Sequence, residues 1–508
     1  MANDYRILAP TENQARGIGQ YAIDMLQGSA GEPAETVFRG VERFHVDSIA
    51  CGVSALACGT NAPRVLREEA LEYRAGDSSR GVPCLGSNLR VEPEKAVLAN
   101  SAAVREWDSN GTNFGFNPRR GHTCGEFGHN DYYPVAVAAA QLQGWDGRQT
   151  LRAMIVLDEI RGRLAEVFAL KNHKIDHVVH GAIASAAVFG AAMGATAEQI
   201  ESAIGMFVAH YIPFRAIRAG KQLSDSKGAS AAISAEMAVV AMRRALRGFV
   251  GPADIFRNPE AIFCLFEPPA TADSSPFELA LATAGEDFAV MGMHFKLGLY
   301  EHQSAGAIQG LMDLLEKHPR LLDDESKLKK VRITIYEPAF GIIGDPAKRD
   351  PRTRQSADHS MVYIVATLLR KAYQMKQSGW RELMLLPGDY NEQSLIDGLS
   401  RRIMEKIEFR HGGDEYDAKY PDGIPTSLEI EHAELGTLSS GLVMYPVGHA
   451  RNPSNELDGL LAHKFKQLAA LGVNDVDALY ARFTNMVDKS PTDIAHLYDF
   501  EIEEHGGF

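Results

Sequence analysis

Residues 105–141 read REWDSNGTNFGFNPRRGHTCGEFGHNDYYPVAVAAAQ and bring Asp108, Asn110, Thr112, His122, Glu126, His129 and Asp131 into one stretch. Carboxylates and imidazoles are the side chains that most often move protons in catalysis at neutral pH. Gly111, Gly115, Pro118, Gly121, Gly125 and Gly128 deny the stretch any period until Pro134 opens an apolar, Ala-rich run. A long aperiodic loop in a compact domain is either functional or disordered. Trp107, Phe114, Phe116, Phe127, Tyr132 and Tyr133 are interleaved here and argue for order, because large aromatic rings are driven into a core. The stretch reads as an ordered loop presenting acid, base and hydroxyl groups at one place. The competing reading is a crossing loop whose polar groups cap helix ends.

Three more clusters carry chemistry. His173, His177 and His180 recur at i, i+4 and i+7 in HKIDHVVH. On a helix they share a face, which is metal-ligand spacing. A metal site, core or capping histidines, and a substrate contact by His180 alone are the three readings. Lys227 stands in SDSKGASAA at the start of an apolar helix. Its charge opposes the helix dipole there, and a lysine among small residues at a helix N-terminus suits a bound anion. A solvated lysine is the plain alternative. Arg215, Arg218 and Lys221 either extend that positive patch or lie on the surface. HFKLGLYEHQSAGA at 294–307 reads as an extended segment entering a helix. Gln303 and Ser304 there either hold a carboxylate or cap the helix.

None of the glycines forms a phosphate-cradling loop or a dinucleotide fingerprint after a strand. Cys51, Cys58, Cys84, Cys124 and Cys264 match no zinc or cluster spacing, so no metal and no cofactor is expected from them. Such usage reads as a reduced, cytoplasmic protein. Formal net charge is −14, which argues against a nucleic-acid partner. It also requires that any anionic substrate meet locally concentrated positive charge. The first twenty residues hold no apolar segment of signal-peptide type. No run approaches the length of apolar chain that crosses a membrane, so no membrane partner is expected.

The elements that must position these residues are mostly helical. Residues 14–60, 134–142, 148–170, 176–193, 227–247 and 361–375 have helical patterning, and Thr196 with Gln199 forms a capping-box signature. Ser275, Pro276 and Glu278 read as a capped helix start, and no strand pattern is evident between Pro134 and about residue 293. VRITIY at 331–336 alternates as a strand with one wet face does, and 427–434 with 437–445 reads as a hairpin. Residues 394–407 read as an amphipathic helix, and helical character returns after Pro453. The expected fold is mainly α. A large discontinuous all-helical domain (1–293 and 453–508) accompanies a smaller α+β lid domain (294–452).

Several blocks together resemble the MmgE/PrpD family, which includes 2-methylcitrate dehydratase and cis-aconitate decarboxylase. They are REWDSNGT (105–112), EFGHNDYYPV (126–135), HGAIASAAVFGAA (180–192), SDSKGASAA (224–232) with GFVGP (248–252), and DPRTRQSADHS (350–360). The resemblance covers nearly the whole chain. It implies a helical domain built from both chain ends, a lid, a homodimer, and a metal-free site between the domains. It implies Asp108, Thr112, His129, His180 and Lys227 as catalytic residues and Lys296, Gln303 and Ser304 as substrate-binding residues. The activity it implies is dehydration of 2-methylcitrate or a related small tricarboxylate, with decarboxylation of cis-aconitate or epimerisation of a dicarboxylate as alternatives. Gln303 with Ser304 stands where many members carry His-Ser, and His180 is followed by Gly181 where His-Pro is common.

Overall fold

The computed structural model describes residues 4–77, 80–123, 128, 130–218, 222–343 and 348–507. The chain is mainly α. Its centre is the helix Val178–Ala192, buried at every position except Ala191. It packs against Gly147–Val167, Ala197–His210 and Ser226–Leu246. Alanine favours the helix and lets axes approach closely. Gly190 marks that closeness: a Cβ there would lie 2.5 Å from Met242 Sδ on the facing helix. Each fully buried Ile, Val or Phe on such a helix contributes ~1.5–3 kcal/mol.

Local signals set the helix boundaries. Asp146 with Gln149, and Thr196 with Gln199, form reciprocal capping boxes that open Gly147–Val167 and Ala197–His210. Pro93 opens Pro93–Arg105, where its missing N–H costs nothing. That helix packs along Ser226–Leu246, so the end carrying Arg105 comes near the start carrying Lys227.

The larger sheet lies in the later part of the chain. Its strand order is Gly436–Val443, Thr426–His432, Leu328–Ile335, Ile407–His411. The first three are antiparallel neighbours and the last pair is parallel. Burial alternates along Leu328–Ile335 and Thr426–His432, as expected of a sheet with one covered face. Helix Ala305–Lys317 covers that face, and Leu457–Ala469 returns to pack on Glu35–Ala57. Among the described residues no helix is long and apolar enough to cross a membrane.

Two local expectations are corrected. No helix follows Ser275; Leu279–Ala282 is a strand paired antiparallel with Tyr5–Leu8. All four of its residues are buried, so it lacks the polar alternation that betrays a half-exposed strand. The Ser275 hydroxyl donates to the Phe277 carbonyl instead of capping, and Gln14 Nε2 bridges the Leu8 and Phe277 carbonyls at 3.1 and 2.8 Å. Residues 394–407 are likewise not one helix. Glu392–Leu395 stops, Asp397 accepts from Ser400 N–H at 2.7 Å to cap Gly398–Met404, and the chain then enters Ile407–His411.

Candidate active site

A cavity of about 250 Å3 opens where several parts of the chain converge, four of which supply its inner groups. The segment after Pro93–Arg105 supplies Arg105, Asp108 and Thr112. The start of Ser226–Leu246 supplies Lys227. The segment after Met293 supplies Lys296, Glu301, His302 and Gln303, and His359 follows the short helix Arg354–Ala357.

Backbone pairing fixes two of these segments against each other. Thr112 N–H donates to the His294 carbonyl at 2.9 Å and His294 N–H to the Thr112 carbonyl at 2.8 Å. Tyr300 N–H donates to the Asp108 carbonyl at 2.9 Å, and the Ser109 hydroxyl to the Gly298 carbonyl at 2.8 Å. A fully buried lysine clamps the pair. Lys464 Nζ donates to the carbonyls of Ser109 and Lys296 at 2.7 and 2.9 Å and meets Asp47 Oδ1 at 2.6 Å. Asn130 braces the loop from the other side, accepting from Gly111 N–H and donating to the Phe44 carbonyl, both at 2.8 Å.

Asp108 is the hub. Lys296 Nζ contacts its Oδ1, His359 Nδ1 lies 2.8 Å from Oδ2 and Lys227 Nζ 3.6 Å from Oδ2. Burial alone would raise its pKa, but Lys296, His359 and Lys227 outweigh it and hold the carboxyl well below the usual range. Asp358 repeats the pattern with Lys227 at 2.7 Å, His359 at 2.9 Å and Arg354 at 3.2 Å. Burial brings Lys227 down to about 8 against the pull of both aspartates. His359 also falls below its ordinary value, through burial and the Lys227 charge, while Asp108 opposes the shift. With Nδ1 engaged by two carboxylates, its Nε2 is left for a ligand.

Oxygens of Asp108 and Asp358 and a nitrogen of His359 lie within 4.8 Å of one another, which is metal-ligand geometry. Two ammonium groups already sit on those carboxylates, so their charge is matched without an ion. Arg215, Arg218 and Lys348 line the outer wall. Arg218 also pairs with buried Asp176, and its Nη2 lies 3.1 Å from His177 Nε2. Burial and the Arg218, Arg161 and Arg105 charges, against the pull of Asp176, keep His177 well below its ordinary pKa. Gly128 has φ +76, and a Cβ there would lie 2.8 Å from the His177 ring, so this approach requires glycine.

The cavity wall brings together five of the residues expected from sequence: Asp108, Thr112, Lys227, Lys296 and Gln303. Ser304 lies just behind, its hydroxyl donating to Glu301 Oε2 at 3.2 Å. His180 is not on the wall. Its Nε2–H donates to the Phe168 carbonyl at 3.0 Å, and burial takes it down to about 3. Gly181 beside it lets Tyr132 pack in, since a Cβ would fall 2.1 Å from that ring. His129 and Lys221 lie outside the described residues.

His173, His177 and His180 do not share one helix. Lys174 takes φ 61 between His173 and the helix that begins at Val178, and His173 pairs with Glu267 at 2.9 Å. Among the titratable wall residues, sequence reasoning gave no role to Arg105, Glu301, Lys348 or His359, or to His177 on its own. Glu301 and His359 both stood inside quoted blocks, but nothing in one dimension marks which side chain turns inward.

The fold and wall define a class first: a mainly α protein with a cavity in which lysines and arginines surround a buried aspartate held in its ionised form. The chain belongs to the MmgE/PrpD family. The MmgE/PrpD N-terminal domain matches residues 25–273 and the MmgE/PrpD C-terminal domain residues 300–482. Among its relatives is the 2-methylcitrate dehydratase of Escherichia coli (strain K12), 24% identical over 436 residues, 82% of this chain and 84% of that protein. The mitochondrial 2-methylcitrate dehydratase of Yarrowia lipolytica is 25% identical over 405 residues, 76% of this chain and 72% of that protein.

Proposed function

We propose that this protein is a metal-independent dehydratase of 2-methylcitrate or a closely related tricarboxylate. The observation that carries the reading is the concentration of Arg105, Arg215, Arg218, Lys227, Lys296 and Lys348 around one cavity in a chain of net charge −14. Local positive charge of this density suits a polyanion that the overall field would repel. The names of the relatives point to the same substrate class.

In this reading Arg215, Arg218 and Lys348 seat the substrate carboxylates. Lys227 and Lys296, held by Asp108, stabilise the charge that develops on the carboxylate next to the reacting carbon. Thr112 and Gln303 orient the hydroxyl and remaining oxygens. His359, neutral and steered by its aspartates, takes the carbon-bound proton through Nε2. The electron pair forms the double bond as the hydroxyl leaves the neighbouring carbon. Residues 294–452 act as the lid over residues 1–293 and 453–508. His129 remains a proposed participant from the resemblance.

Purified protein is given 2-methylcitrate with EDTA present, and ultraviolet absorbance of the new conjugated double bond is followed. A rise that His359→Gln abolishes and His129→Ala reduces supports the reading. Carbon dioxide release from cis-aconitate with no water loss from 2-methylcitrate overturns it in favour of decarboxylation. Deuterium exchange without loss of hydroxyl points to epimerisation.

A further inference from the structure

Glu301 has no role in the scheme above, yet it lines the cavity and is only 9% exposed. Its backbone N–H donates to the Asp358 carbonyl at 2.8 Å, while Tyr300 before it donates to the Asp108 carbonyl at 2.9 Å. The backbone of Glu301 is thus bonded to the residue immediately preceding His359, and both side chains line the same cavity. Oε1 accepts from Gln303 N–H at 2.7 Å and Oε2 from the Ser304 hydroxyl at 3.2 Å. The same turn carries His302, whose two ring nitrogens have no protein partner among the described residues, and Gln303, whose amide cannot titrate. Of these three wall groups, Glu301 is the one that can give up a proton.

We propose that Glu301 is the general acid of this site, delivering its carboxyl proton to the departing hydroxyl. The step balances with His359 as base. The carbon–hydrogen bond breaks, its proton goes to His359 Nε2 and its electron pair forms the carbon–carbon double bond. The carbon–oxygen bond breaks, and the hydroxyl leaves as water with the proton from Glu301. Glu301 is left as carboxylate and His359 as imidazolium, and exchange with solvent resets both. No oxidant or second reactant enters.

The surroundings support this division. Burial raises Glu301 to about 7, against the Gln303 N–H, Lys348 and Lys296 and together with the Asp108 charge. The other groups facing it are Tyr336, whose hydroxyl is itself pushed far up by burial, and His302, which burial with Lys296 and His449 keeps neutral. A carboxyl raised and an imidazole lowered beside one substrate form the pair that acid–base catalysis needs.

The assignment rests on the dehydratase reading, and Glu301→Gln separates the two. The amide keeps the size and the hydrogen bond from Gln303 N–H but has no acidic proton. The expected result is a fall in kcat of ~100-fold or more with KM changed only a few-fold. The alkaline limb of the rate profile, near 7 in the unaltered protein, moves toward 8, where Lys227 titrates. Unchanged kcat and limb would reduce Glu301 to a cap and overturn the proposal. Infrared difference spectra give an arm independent of turnover. A carboxylic-acid stretch that vanishes as pH rises through about 7, and is missing from Glu301→Gln, supports the assignment. Absence of that band from the unaltered protein overturns it. An unaltered protein that dehydrates no tricarboxylate sinks the dehydratase reading, and the infrared arm still decides whether Glu301 holds the proton.

Discussion

Asp108 and Glu301 line the same cavity and both are buried, yet their surroundings drive them in opposite directions. Asp108 is surrounded by Lys296, His359 and Lys227 and stays ionised far below the ordinary range. Glu301 meets mainly a backbone N–H and a hydroxyl at hydrogen-bond distance, and burial carries it up to about 7. Burial is therefore not what separates an anchor from a proton carrier. The number of cations at contact distance decides, because only direct charge pairing repays the desolvation of a carboxylate.

The contrast breaks most violently at Asp108. Asp108→Asn leaves Lys296 and Lys227 short of a buried counter-charge, so turnover is expected to fall ~1,000-fold. Stability is expected to fall ~3–5 kcal/mol, read in urea denaturation. Lys464→Met tests the clamp behind that hub. It removes the buried ion pair with Asp47 and frees the carbonyls of Ser109 and Lys296, so a stability loss of ~3 kcal/mol is expected, with kcat falling more than KM rises.

The Glu301 side of the comparison is sharpened by pH. Its native state keeps a proton that the unfolded chain releases near 4.5. Stability carried by that proton is present below about 4.5 and is lost as pH rises to about 7. Glu301→Gln does not titrate, so at pH 8 it should exceed the unaltered protein by ~3 kcal/mol relative to their difference at pH 4. Equal pH dependence in the two proteins would erase the contrast with Asp108. The smallest effect belongs to Ser304→Ala, which removes one hydrogen bond favouring ionised Glu301. Its alkaline limb should move up by less than about one unit, consistent with ~0.5–1.5 kcal/mol for one such bond.

Much of this molecule was readable before folding. The helix Met361–Met375 follows its apolar period from end to end, and the capping boxes at Thr196 and the hairpin of Thr426–His432 with Gly436–Val443 sit where local chemistry places them. The strand Leu279–Ala282 was invisible because both its faces are covered. His180 and His177 show the same limit at the site. Both lie in one apolar block, yet His180 sits inside the helix and donates to the Phe168 carbonyl, while His177 stands just before it and meets Arg218.

The residue types needed for proton transfer on a polyanion, the helical character and the α+β segment follow from the sequence, because periodicity and capping are local properties of the chain. The charge state of each group does not. Asp108 meets Lys227, Lys296 and His359 from three distant segments, and Glu301 finds its place through hydrogen bonds to Asp358 and Ser304. Electrostatic work falls off over a few ångströms of space and is blind to separation along the chain. Only the tertiary structure could decide which carboxylate is an anchor and which can part with a proton.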